Sequence, residues 1–213
     1  LTAYGWDATY VRRQSLPCGG SWTNKLKPYV IVDGALVPKG CTFTIREGVT
    51  VYNTPRSTLF VEGTLNIEGT ATERVKFTGN KPLYGVKYYP SQWVGIQFLP
   101  ASINSKIKFA DIHNAAIGIR VDSSSNNGNY KLTMDHSTVM HCGTACLVGV
   151  TGSIKAVNCA FAEGGTFTFY GLLGGDYEFV HCTFANYLSN GVYPARKDAQ
   201  FAITNTLRDD YGR

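Results

Sequence analysis

The chain has 213 residues, of which 16% are charged and 13% aromatic, with 23 glycines and a formal net charge of +5. Low charge with many aromatics excludes general disorder, and no apolar run nears the roughly 18 residues of a membrane-spanning helix. The basic residues are scattered and mostly single, so the clustered footprint of a nucleic-acid binder is missing and no nucleic-acid partner is expected.

In chain order, residues 1–21 read as an irregular N-terminal cap or arm, with Leu16, Pro17, Cys18, Gly19 and Gly20 folding over the first rung. The first residue is Leu1 and no basic segment precedes an apolar one, so a removed targeting segment or a fragment is expected. From residue 22 onward helical periodicity is almost absent. Cys41 to Ile45, Val49 to Tyr52, Thr58 to Val61, Thr64 to Ile67 and Arg74 to Phe77 each place apolar or β-branched residues at every second position, the period of a strand. Gly48, Gly63, Gly69 and Gly79 punctuate these runs. The insertion 80–93 then interrupts the pattern. It is rich in Tyr, Lys and Pro, and a rigid scaffold projects function from such loops. Lys81, Tyr84, Lys87, Tyr88, Tyr89 and Trp93 are the candidate ligand-binding residues, through ring stacking and charge. A second, polar insertion occupies 122–129.

The later chain repeats. Residues 132–139, 154–161 and 177–184 align column by column at offsets of 22 and 23: Leu132, Ile154, Tyr177; Met134, Ala156, Phe179; His136, Asn158, His181; Ser137, Cys159, Cys182; Val139, Phe161, Phe184. A period of 22–23 with three short strands per unit predicts a parallel β-helix, in which like residues stack on like about 4.8 Å apart. A leucine-rich repeat would need a fixed Leu pattern that is missing. The column His136, Asn158, His181 is expected at a bend, as a structural ladder whose side chains hydrogen-bond along the stack. Dividing 22–205 by the repeat gives six to seven rungs of an all-β, right-handed parallel β-helix. Residues 206–213 form a tail or the start of a continuing chain.

These columns resemble the pectate-lyase-like superfamily of right-handed parallel β-helices. The runs 27–32, 41–49, 59–65, 75–79, 91–96 and 181–187 resemble, more narrowly, secreted Bacteroidetes β-helix proteins of the cell surface. The resemblance implies an exported, cell-surface or extracellular protein, often lipid-anchored, although no lipobox cysteine is visible; a membrane partner is expected only through such an anchor. It implies no particular activity. Members continue beyond the equivalent of Arg213, which implies that this chain is one section of something longer or is capped by a partner.

No catalytic set emerges. Asp111 and Asp135 are single, and the pair Asp209 and Asp210 sits in the tail, whereas sugar cleavage needs paired carboxylates at about 5–9.5 Å. His141 with Cys142 and Cys146 lacks the second ligand pair of a zinc site, so neither metal nor cofactor is expected. Cys159 and Cys182 are expected as free stacked thiols on neighbouring rungs. Cys18 and Cys41 lie 23 residues apart, and a disulfide pinning the cap and a pair of thiols are equally open. The leading expectation is a non-catalytic exported scaffold that binds a glycan or a neighbouring surface protein through its loops and flat faces. A polysaccharide lyase or hydrolase and a structural stalk are the alternatives.

Overall fold

The computed structural model describes residues 7–80, 88–124, 128–185, 190–194, 200–204 and 207–208. Every assigned element among them is a strand, and every strand pairing between them is parallel. The chain winds as a parallel β-solenoid of about 8 turns with three strand faces. The first face is an eight-stranded sheet running from Ser21–Trp22 through Thr42–Arg46, Thr64–Glu68, Ser105–Lys108, Leu132–Asp135, Ser153–Val157 and Asp176–Val180 to Gln200–Thr204. The second and third faces join in one sheet through the long strand Tyr29–Val37. Its first half pairs with Thr50–Asn53 and its second half with Thr58–Val61, so the faces part there and stay separate afterwards.

Two expectations change at the N-terminal end. Within the segment 1–21 read as irregular, Thr9–Ser15 is a strand lying parallel on Tyr29–Val37, with a register shift between Arg12 and Gln14. The count is about eight turns rather than six to seven, because partial turns are added at both ends. Thr9–Ser15 precedes the first full turn, and Leu207–Arg208 still pairs with Thr183–Phe184.

The repeat columns are the observed register. Leu132 pairs with Ile154 and Ile154 with Tyr177; Val139 pairs with Phe161 and Phe161 with Phe184. Strand alternation sends one residue in two inward, so each inward column becomes a continuous stack in which a rung buries apolar surface on both neighbours. Aromatic rings stack near both ends. Trp22 stacks on Tyr29 at 4.6 Å, and Phe161 stacks on Phe184 at 5.1 Å with Phe179 edge-on to both. The middle adds aliphatic columns, with Ile67, Ile107, Ile112 and Ile119 fully enclosed beside Phe77 and Phe98. Volume is balanced locally: Tyr177 lies inside because its neighbour Gly149 has no side chain, and a Cβ there would come within 2.4 Å of the Tyr177 hydroxyl.

The corners are built from left-handed residues. In the fifth turn these are His136, His141 and Thr151, and in the sixth Asn158, Glu163 and Leu173, all with φ between 46° and 61°. One such residue turns the chain sharply enough to carry it from face to face in a 22-residue rung. The column His136, Asn158, His181 therefore sits at the bend between first and second faces. Its contribution is made by the backbone: the amide of His136 donates to the Val157 carbonyl, Asn158 to Val180 and His181 to Thr204. All three side chains are exposed, and His136 meets Asp135 at 2.6 Å and stacks on Phe109 at 4.8 Å rather than bonding along the column. The next column does bond inward. The Ser137 hydroxyl donates to the Asp135 carbonyl and accepts from the Ala110 amide.

Candidate binding surfaces

The insertion 80–93 falls in the third turn, between Val75–Gly79 and Gly95–Phe98. Lys81, Tyr84 and Lys87 lie outside the described residues. Residues 89–94 run as a strap along the corner between the second and third faces. The amides of Ser91 and Gln92 donate to Ala115 and Asn114, and the carboxamides of Gln92 and Asn114 both donate to the Tyr89 carbonyl. Tyr88 and Tyr89 remain 63% and 62% exposed, with Tyr88 edge-on to His141 at 5.1 Å. Trp93 is a correction to the candidate set: it is 1% exposed, packs on Phe77, and its indole N–H donates to the His113 carbonyl. The strap must be fastened to the core, and the largest side chain at its end does that, so no face of the ring is left for a ligand.

Beneath Tyr88 lies a cluster of ionisable side chains from the second face. His141 meets Glu163 through Nδ1 and sits edge-on to His113 at 5.6 Å. Burial pushes the His113 imidazole below its ordinary value, and its Nε2 has no hydrogen-bond partner among the described residues. Asp111 is half-buried. Burial pushes its carboxyl up, but Arg74 at 2.8 Å and the Thr138 hydroxyl at 2.7 Å outweigh that and hold it below the usual range. The carboxylate is thus committed to a salt bridge and a hydroxyl. No group of three His, Cys, Asp or Glu among the described residues is placed to hold a metal ion.

The third face carries a surface that the loop-centred reading missed. Its outward column runs Leu36, Phe60, Gln97, Arg120, Val148, Tyr170, Tyr193 in unbroken register. At one end, Phe167 and Tyr170 stack at 4.4 Å and 8°, and Tyr193, 45% exposed, lies 5.8 Å from each. Three and two rungs from Tyr170, Gln97 and Arg120 both bond Asp122 at 2.8 Å, which fixes a donor–acceptor trio on the same face. The signal was in the period: Val148, Tyr170 and Tyr193 are 22 and 23 residues apart, the spacing that found the inward columns.

The first face is flatter and more charged. A shallow groove of about 390 Å³ is lined by Lys106, Lys108, Thr133, Asp135, Lys155 and Val157. Lys108 pairs with Asp135 at 3.7 Å and Lys155 with Glu178 at 3.0 Å, both in partly exposed settings worth little individually. Where the third face turns into the first, Lys131 is fully buried. Its ammonium donates to the carbonyls of Leu99, Pro100 and Asp122 and to the Ser123 hydroxyl, at 2.6–3.2 Å. Burial lowers it to about 8.

Cys18 and Cys41 are joined by a disulfide across neighbouring turns, with Cα atoms 4.8 Å apart. Cys142, Cys146, Cys159 and Cys182 are buried thiols. No family model, curated protein or solved structure matches the chain.

Proposed function

We propose that the chain is a non-catalytic scaffold of the right-handed, pectate-lyase-like β-helix kind, exported to the cell surface, where it binds a glycan. The observation that carries this reading is the outward aromatic group Phe167, Tyr170 and Tyr193, in register with the polar trio Gln97, Arg120 and Asp122. Aromatic rings supply flat apolar contact for the C–H faces of sugar rings, while fixed donors and acceptors pair with hydroxyls. A solenoid face extends this chemistry along its axis in steps of about 4.8 Å, which suits a linear chain of sugars. Tyr88 and Tyr89 at the adjoining corner add exposed rings near the same edge. The Cys18–Cys41 bridge favours an oxidising compartment, in keeping with export. The carboxylates Asp111 and Asp122 are each engaged by an arginine, which favours binding over acid–base work at those positions.

The test is affinity electrophoresis through gels containing neutral and acidic polysaccharides. Retention by one class is expected, with about a fivefold loss of affinity in Tyr193→Ala, since an aromatic contact contributes about 1 kcal/mol beyond its area. Retention unchanged by Tyr193→Ala and Tyr170→Ala would remove the third face from the reading. Shortening of a polysaccharide during incubation would replace the scaffold with a lyase or hydrolase.

A further inference from the structure

The thiols of Cys159 and Cys182 stand in the same relation to each other as the two halves of the existing disulfide. Cys18 and Cys41 are 23 residues apart on neighbouring turns, and so are Cys159 and Cys182. The backbone fixes the second pair in register. Val157 pairs with Val180 on one side, Ala160 with Thr183 on the other, and the Thr183 amide donates to the Cys159 carbonyl. Parallel neighbours at such positions have Cα atoms about 4.8 Å apart, inside the range that a disulfide spans. Both side chains point inward, 2% and 1% exposed, and the Cys182 thiol reaches back to the Ala156 carbonyl of the neighbouring turn at 3.4 Å, while the Cys159 thiol donates to the Val157 carbonyl beside it at 3.2 Å. The Cys18–Cys41 bridge shows that this solenoid accepts a rung-to-rung cross-link at a Cα separation of 4.8 Å.

We infer that Cys159 and Cys182 form a second inter-rung disulfide when the chain folds under oxidising conditions. The reaction is thiol–disulfide exchange with a small disulfide such as oxidised glutathione. One cysteine thiolate attacks a sulfur of the oxidant, forming a mixed disulfide and releasing one glutathione thiol. The second cysteine, as thiolate, then attacks the sulfur of the first and releases the other glutathione thiol. The two cysteines lose two electrons and two protons, and the oxidant becomes two thiols. The exchange precedes closure of the seventh turn, because the folded core admits no oxidant, and closure afterwards shields the bond from reductant.

Solenoid mechanics gives the bond its consequence. Each rung touches only its neighbours, so opening starts at the ends. Cys18–Cys41 ties the first turns together, and Cys159–Cys182 ties the sixth turn to the seventh. Cys142 and Cys146 lie four residues apart within one turn around Gly143 and Thr144, so a bond between them would join nothing beyond its own corner.

The measurement is thiol titration under denaturing conditions, with peptide mapping, on protein refolded in a glutathione redox buffer and on protein exported to a bacterial periplasm. Two reactive thiols, Cys142 and Cys146, and a linked 159–182 peptide are expected. Four reactive thiols with only Cys18–Cys41 bonded, or a linked 142–146 peptide, overturn the inference. Refolding in glutathione keeps this outcome independent of whether the protein is a glycan-binding surface scaffold. Serine already occupies the equivalent position at Ser137, so the double variant Cys159→Ser with Cys182→Ser is expected to fold. It should be cleaved by protease faster than the oxidised protein in the turns after residue 182, and an equal rate counts against the staple.

Discussion

The turns between Leu132 and Ala185 and those between Thr64 and Lys131 solve one problem in two ways. In the first block the register advances by 22 and then 23 residues, and each corner is one left-handed residue such as Asn158 or Glu163. In the second block Ile67 pairs with Ile107, a step of 40, because the strap and a longer corner are inserted. The added backbone lies outside the repeating ladder, where a buried group left unpaired costs about 1–3 kcal/mol. Single side chains fasten it to the turns beside it: the Trp93 indole donates to His113, the Asn114 and Gln92 carboxamides to Tyr89, and the Lys131 ammonium to three carbonyls and a hydroxyl. Regular turns are held by repetition and interrupted turns by single residues, so the two blocks should respond differently to single substitutions.

The largest effect is expected at Trp93. Trp93→Ala removes a fully enclosed ring and a hydrogen bond, and should lower unfolding free energy in urea by about 3–5 kcal/mol. A loss below about 1 kcal/mol would show that the strap is not fastened through this side chain. Lys131→Met comes next. It leaves the Leu99, Pro100 and Asp122 carbonyls without their donor, for a loss of about 2–3 kcal/mol. Lys155→Met, on the exposed first face, should change stability by less than about 1 kcal/mol.

A pH titration of stability sharpens the contrast at the corner beneath Tyr88. The His113 imidazole is held below its ordinary value of 6.5 in the folded chain, chiefly by burial. Asp111 and Glu163 oppose that shift, and His141 and Arg74 support it. As pH falls through about 6.5 the unfolded chain takes up this proton and the folded chain does not, so stability drops until the folded value is reached. Urea midpoints between about pH 7 and 5 should therefore fall in the parent and fall less in His113→Gln. An identical slope in both would assign the dependence to other groups. The smallest effect is expected in the regular block, where Thr151 holds φ at 51°. Thr151→Asn should gain about 0.5–1 kcal/mol, because a β-branched residue is strained in the left-handed region and Asn is tolerated there.

Much of the fold was legible because a solenoid repeats its contacts at the interval of its sequence. The columns of Val139, Phe161 and Phe184 are both a sequence alignment and a physical stack. The partial turns at the ends were not legible. Thr9–Ser15 gains its strand partner only from Tyr29–Val37, and nothing in its own alternation of Tyr10, Arg12 and Gln14 announces a buried face. The binding residues were less legible still. Exposed and anchored aromatics look alike in a loop, so Trp93 and Tyr88 read as one class, although one is a fastener and the other is open to solvent.

The sequence by itself determined the strand period, the 22–23-residue turn and the identity of the inward columns, because burial selects apolar residues at every equivalent position. Only the tertiary structure decided how sequence-distant groups meet. Cys18 met Cys41 as a bridge, Lys131 met the carbonyls of Leu99 and Pro100, and Tyr193 came level with Phe167 and Tyr170 on the outer surface. The reason is that outward and corner positions are not selected by burial. Their meaning depends on which neighbour the winding places a few ångströms away, and the winding is set by the whole turn.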